Sequence, residues 1–190
     1  MQNQLAKVVR GLKQAEARVE QLATTTSEER WAARSDPSGW SVAECVAHLN
    51  LTSAGYIPRM RQAIAEARKL GAVESDSKYR RDFAGWLFSV MAGPLPSVAG
   101  KRIGRVKTMA AFVPAGNLPR QAVLADFKRD HDQLVEMASE AEGLALDKVW
   151  IRSPFGERIR YNCYSAFVIV PRHDARHLDQ AELVWNGEET

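Results

Sequence analysis

The sequence predicts an all-α protein, a four-helix bundle forming a single domain over residues 1–190, with a long crossover connection between its second and third long helices. Three observations carry this reading. Four long segments place apolar residues at alternating three- and four-residue spacings, and no run alternates convincingly with the period of a strand. A chain of 190 residues with 45% hydrophobic and 26% charged residues can bury one sizeable core, and no apolar run approaches the roughly 18 residues of a membrane span.

The first long helix covers residues 2 to 23, where Leu5, Val8, Leu12, Ala15, Val19 and Leu22 share a face. It is expected to end near Thr24-Thr25-Thr26. Thr26 and Glu29 then suit the capping box of a short helix through Trp31, and Asp36-Pro37-Ser38-Gly39 reads as a turn. The second long helix opens on Ser41 and Glu44, an S-x-x-E capping box before the stripe Val42, Val46, Leu49, Tyr56, Met60 and Ile64. It should reach Leu70-Gly71, with Pro58 expected to kink it. From Gly71 to Gly116 the pattern is irregular, a crossover holding one short helix that begins in Phe83 to Phe88 and is broken by Gly93-Pro94-Leu95-Pro96. The third long helix begins near Leu118-Pro119 and aligns Leu124, Phe127, His131, Leu134, Ala138 and Ala141. The fourth spans about Tyr161 to Trp185 and stops at Asn186-Gly187.

The net charge of +3 is uneven, because Arg68 to Lys107 holds nine Lys or Arg against Glu74, Asp76 and Asp82. A solvated face is the expected role of this excess, so neither nucleic acid nor a stable membrane association is expected as a partner. Contact with a membrane surface through the basic crossover and residues 83 to 98 is the reading set aside. The N-terminus lacks the apolar core and cleavage site of a signal peptide, and Cys45 and Cys163 lie on different helices, which together suggest a cytoplasmic protein with reduced thiols.

Of four histidines, two form His173-x-x-x-His177 on the last helix. Residues four apart stand one above the other, so both imidazoles can share an ion. The intervening Asp174-Ala175-Arg176 lacks the glutamate of the H-E-x-x-H peptidase motif, which argues against a peptidase. Both histidines share a face with Cys163, Ala166, Val170, Ala181 and Val184 and so point inward. A metal would satisfy both rings; two core histidines bonded to backbone or carboxylates are the alternative. His48 is the leading third ligand, although it lies about 120° from its helix's apolar seam by a turn of about 100° per residue.

The segment Gly39-Trp40-Ser41-Val42-Ala43-Glu44-Cys45-Val46-Ala47-His48-Leu49 resembles the W-S-x-x-E-x-x-x-H-L signature of the DinB-like superfamily. Ser153-Pro154-Phe155-Gly156 and His173-Asp174-Ala175-Arg176-His177-Leu178-Asp179-Gln180 resemble that family's P-x-G turn and terminal H-x-x-x-H-x-x-Q. The resemblance implies a four-helix bundle with nickel, zinc or iron on His48, His173 and His177, and it implies a possible homodimer. It further implies a small-molecule substrate and, by the example of bacillithiol- and mycothiol-using relatives, a low-molecular-weight thiol as co-substrate. Some relatives are proposed hydrolases, and many have no known activity.

Three neutral imidazoles leave a divalent ion open to water or substrate, so either a water-derived nucleophile or a bound thiolate is expected; a non-catalytic small-molecule or metal-binding module is the other class. Asp174 and Gln180 are candidates to orient the ligands, and His131 to act as a core histidine or as a pocket acid or base. Glu44 could approach the ion, but capping is its expected role. Tyr56, Trp86 and Phe88 are candidates for the pocket wall, although aromatic residues at such positions more often simply pack. Arg80, Arg81, Lys101 and Arg102 are candidate receivers of an anion. Pro171, two residues before His173, is expected to kink or break the last helix.

Overall fold

The structure, a computed structural model, describes residues 2–37, 39–72, 78–94, 97–98, 101–102, 108–116 and 118–187. Ser38 of the expected turn and the side chains of Lys101 and Arg102 lie outside the described residues. The described chain runs α1 (Gln2–Thr25), α2 (Glu28–Ala32), α3 (Val42–Lys69), α4 (Phe83–Ala92), β1 (Ser97–Val98), β2 (Lys101–Arg102), a single 3-10 turn (Ala110–Phe112), α5 (Arg120–Glu140), β3 (Trp150–Ser153), β4 (Gly156–Asn162) and α6 (Cys163–Asn186). The described chain is mostly helical, so the all-helical expectation holds in the main and the two short hairpins are the departure.

Local chemistry sets the helix ends. Ser41 accepts from the Glu44 amide while the Glu44 carboxylate accepts from the Ser41 amide at 2.8 Å, closing the expected capping box of α3. At α2 the cap is Ser27 rather than Thr26: its hydroxyl accepts from the Arg30 amide, because the helix starts one residue later than the spacing suggested. Asn162 caps α6 through the Ser165 amide, and Gly187 closes it at φ 78°, a left-handed position that suits glycine. The crossover helix α4 begins at Phe83 and runs to Ala92, ending at Gly93 and Pro94 as expected; Leu95 and Pro96 lie outside the described residues.

The long helices α1 and α3 each pack against both α5 and α6, and α4 lies on α6 and β4. Pro171 does not break α6, which runs through it; its ring sits against Gly11 of α1, where a Cβ would come within 2.9 Å of the proline Cβ. Pro58 likewise lies within an unbroken α3. The approach of α4 to α6 is tighter still. A Cβ on Gly85 would stand 2.0 Å from the Ser165 hydroxyl oxygen, so only glycine fits there. Asp82 fastens the same corner, accepting from the amides of Gly85 and Asn162 and from the Ser165 hydroxyl.

The β3–β4 hairpin was not foreseen. Its register pairs Ile151 with Tyr161, and burial alternates along Trp150–Ser153 with Ile151 and Ser153 inward. Four residues are too short a run for period two to stand out from a helical background. On α5 the inward residue is Val123, with Leu124 only partly buried.

The core falls into two apolar halves along the long helices. One gathers Leu12, Tyr56, Met60, Leu134, Tyr161 and Phe167; the other gathers Val19, Trp31, Val46, Phe127, Leu178 and Val184. Between them, α3 contributes His48, Thr52 and Ser53, α5 contributes Asp130 and His131, and α6 contributes His173, Asp174 and His177, all buried. A polar layer inside an otherwise apolar core demands partners for each of its atoms.

Candidate metal centre

Three histidines meet at one side of that layer. His48 stands two turns into α3, and His173 and His177 stand one turn apart on α6, so the contact of α3 with α6 brings the rings together. Ring centroids are 5.1 Å apart for His48 and His173, 4.4 Å for His48 and His177, and 4.6 Å for His173 and His177. One nitrogen from each lies within 4.8 Å of the other two. The Nε2 atoms of His48 and His173 are 3.4 Å apart, close to the roughly 3.3 Å between two ligands of a tetrahedral ion with bonds of about 2.0–2.1 Å.

The surroundings decide the protonation of these rings. The Phe112 carbonyl, 2.7 Å from His48 Nδ1, can only accept, so His48 donates there and its Nε2 keeps the lone pair turned toward His173. His177 Nδ1 is buried without a hydrogen-bond partner among the described residues. Leaving such an atom unmatched costs about 1–3 kcal/mol. A cation among the three rings would give the lone pairs a partner, and the donor set suits a divalent ion.

Burial pushes the His48 pKa down to about 4, with the nearby Arg176 guanidinium adding to the effect and the Phe112 carbonyl opposing it. His173 and His177 are also held well below the usual histidine range, chiefly by burial and then by the neighbouring histidines and Arg176, while Gln180 works in the opposite direction on His177. All three rings are therefore neutral near pH 7, the form that ligates a metal.

Aromatic rings wall the cluster. Trp40 lies 4.9 Å from His48 and stacks on His177 at 5.9 Å, and Phe155, at the tip of the β3–β4 turn, lies 5.7 Å from His173. A cavity of about 290 Å³ opens from the histidines, lined by Phe88, Met91, Ala92, Thr108, Met109, Phe112, Phe155 and Arg176. Of the three aromatic candidates for its wall, Phe88 is there. Trp86 is half-exposed elsewhere on α4, and Tyr56 sits behind the wall, its hydroxyl 2.6 Å from that of Tyr161.

Other expected residues fall elsewhere. Asp174 does not meet the ligand histidines: its carboxylate lies 3.2 Å from Nε2 of His131 on α5. His131 also donates from Nδ1 to the Phe127 carbonyl at 3.0 Å. Burial works to lower the His131 pKa, but Asp174 and that carbonyl outweigh it and raise the value; the hydrogen-bonded pair lies buried in the core, outside the cavity. Glu44 is occupied by Ser41 and Arg34; burial works to raise its pKa, and these hydrogen bonds bring it below the usual carboxylate range. Arg81 is bound to Ser89, and neither Arg80 nor Arg81 lines the cavity.

Sequence reasoning missed Arg176, although its place three residues after an inward histidine was a signal that it reaches the same edge of α6. It missed Phe112 for a different reason, since that residue holds His48 through its backbone carbonyl, which side-chain patterns do not report. Cys45 and Cys163 are buried and form no disulfide, and burial pushes the Cys163 thiol up to about 12.

A family model described as the DinB superfamily matches residues 11–181. No curated protein and no solved structure matches the chain.

Proposed function

The chain belongs to the DinB superfamily, and on that premise we propose that it is a cytoplasmic four-helix-bundle enzyme holding one divalent ion, nickel, zinc or iron, on His48, His173 and His177. The proposed reaction is transfer of a low-molecular-weight thiol to a small electrophilic molecule. The observation that carries the reading is the convergence of three buried, neutral imidazoles at the floor of a largely apolar cavity.

An ion held there would supply Lewis acidity, favouring the anionic form of a thiol or water brought to its open positions. The chain's own residues do the rest. Phe112 orients His48, Trp40 and Phe155 shield the rings from water, and the cavity presents an apolar wall to the electrophile. In the transfer the S–H proton passes to solvent, the sulfur lone pair forms a C–S bond, and the leaving group takes the electron pair of the bond it breaks.

Thiol transfer is favoured over hydrolysis because no Asp or Glu is among the described residues lining the cavity to act as general base. The thiol must come from outside, since Cys163 is held protonated and neither cysteine reaches the cavity.

The test is a cobalt-loaded sample titrated with small thiols. A new near-ultraviolet sulfur-to-cobalt band, absent in His173→Ala, is the expected result. A cobalt spectrum indifferent to every thiol would point instead to a hydrolase or to a non-catalytic metal-binding module, according to whether ester and amide substrates are turned over.

A further inference from the structure

The outward face of α4 is apolar. Gly85, Ser89 and Ala92 are buried against the protein, while Phe83, Trp86, Leu87, Val90 and Met91 follow the three- and four-residue spacing of the opposite face. Phe83 is 77% exposed, and the other four lie between 42% and 51%. A surface helix ordinarily turns polar residues outward, and a contiguous exposed apolar strip marks a place where something docks. No residue within α4 is charged. Charge stands at its border instead. A groove of about 420 Å³ between α1 and α6 is lined by Lys7, Arg81 and Arg172 together with Pro94, just past the end of α4, and no Asp or Glu is among its described lining residues. Arg81 donates to the Ser89 hydroxyl and Arg172 to the Ser89 carbonyl, so both guanidinium groups lie against α4 and bond to neutral oxygens. Asp82, at the start of the helix, is taken up by the amides of Gly85 and Asn162 and the Ser165 hydroxyl. From Phe83 to Ala125 the sequence holds five Lys or Arg and no acid.

An apolar strip bordered by cations complements the surface of a bilayer that carries anionic phospholipid: rings and aliphatic groups enter the acyl boundary while basic side chains meet phosphate. A second copy of the chain fits less well. The exposed fractions, on side chains of roughly 150–250 Å², leave on the order of 500 Å² open. That is short of the roughly 800 Å² per partner of a standard stable interface, and a symmetric copy would bring the same cations to the same border. A helix of ten residues, about 15 Å long, can lie on a bilayer but not cross it. The basic crossover alone suits a solvated face; the outward side chains of α4 are what add the bilayer. We propose that α4 is a peripheral docking face for the surface of an anionic membrane, with Phe83, Trp86, Leu87 and Val90 in the interface and the groove of Lys7, Arg81 and Arg172 on a phospholipid phosphate. Met91 and Met109, both about half-exposed, also line the histidine cavity, so docking sets the mouth of that cavity at the lipid surface. The contact is reversible and independent of any metal.

The experiment sediments the full chain at low salt with vesicles of phosphatidylcholine alone and with vesicles in which about one lipid in three is phosphatidylglycerol. Binding to the anionic vesicles about tenfold or more tighter than to phosphatidylcholine is expected, and it should weaken as salt is raised. Phe83→Ser combined with Trp86→Ser should lower binding to the anionic vesicles about tenfold or more, and Lys7→Gln about fivefold, with unfolding midpoints unchanged. A chain that stays in the supernatant with anionic vesicles, or a double variant that binds them as well as the unaltered chain, would overturn the proposal. So would a dimer, seen by sedimentation equilibrium, that the double variant dissociates while neither form binds vesicles. Undiminished binding by Lys7→Gln would contradict the role of the groove. Should the double variant fail to fold, Val90→Asp decides by the same comparison.

Discussion

At the scale of single residues, the layer holds histidines of two opposite kinds. His48, His173 and His177 are kept neutral by burial, whereas His131 sits between a carboxylate and a carbonyl and favours its proton. Their effects on stability therefore have opposite signs with pH. For His48 the folded value of about 4 lies below the ordinary 6.5, so its contribution is intact above pH 6.5 and is lost as pH falls toward 4. His173 and His177 act in the same direction. His131, with its value raised, contributes stability below 6.5 that is lost as pH rises through its folded value. Metal-free protein should accordingly show a falling midpoint of thermal unfolding below pH 6.5, and His48→Gln should flatten that fall; a midpoint level from pH 7 to 4.5 would contradict the assignment. Replacing His131 with Phe leaves Asp174, 1% exposed, without its partner, and should cost about 3 kcal/mol or more in urea unfolding while metal uptake persists.

At the scale of elements, close contacts between helices set the frame of the site. Gly85→Ala drives a methyl into Ser165 and should destabilise by about 1–3 kcal/mol, and adding Ser165→Gly to it should recover part of that loss in denaturant titrations. The inward direction of His173 and His177 was legible because α6 has a clear apolar stripe on one side. His48 was not, and the reason lies in α3: residues 41 to 49 are all buried, enclosed by α2, α5, α6 and the 3-10 turn, so an angle measured from one seam says little about burial there. Pro171 does not break α6. A break is expected of a helix taken alone, whereas here the proline ring fills the space left by Gly11 on the facing helix.

For the whole molecule, the long helices could be read from periodicity and caps, and the three-histidine cluster from one spacing and one family signature. The layered core could not, because it depends on which heights of α3, α5 and α6 coincide, a relation among residues such as His131 and Asp174, 43 positions apart, and His48 and His173, 125 apart. The same holds for the cavity, whose wall is assembled from α4, the 3-10 turn and the β3–β4 turn around the histidines. A metal that binds the folded chain and not the unfolded one stabilises it by mass action, so divalent ions should raise the unfolding midpoint of the native protein and not that of His173→Ala.

The central claim, one divalent ion on His48, His173 and His177, is tested most directly by elemental analysis of tag-free protein prepared without chelator, followed by cobalt titration of the unaltered chain and of each single His→Ala variant. About one ion per chain in the unaltered protein, with loss of tight uptake in all three variants, is the expected result. Protein that neither carries nor accepts an ion, or uptake that survives His48→Ala and His173→Ala undiminished, would contradict it.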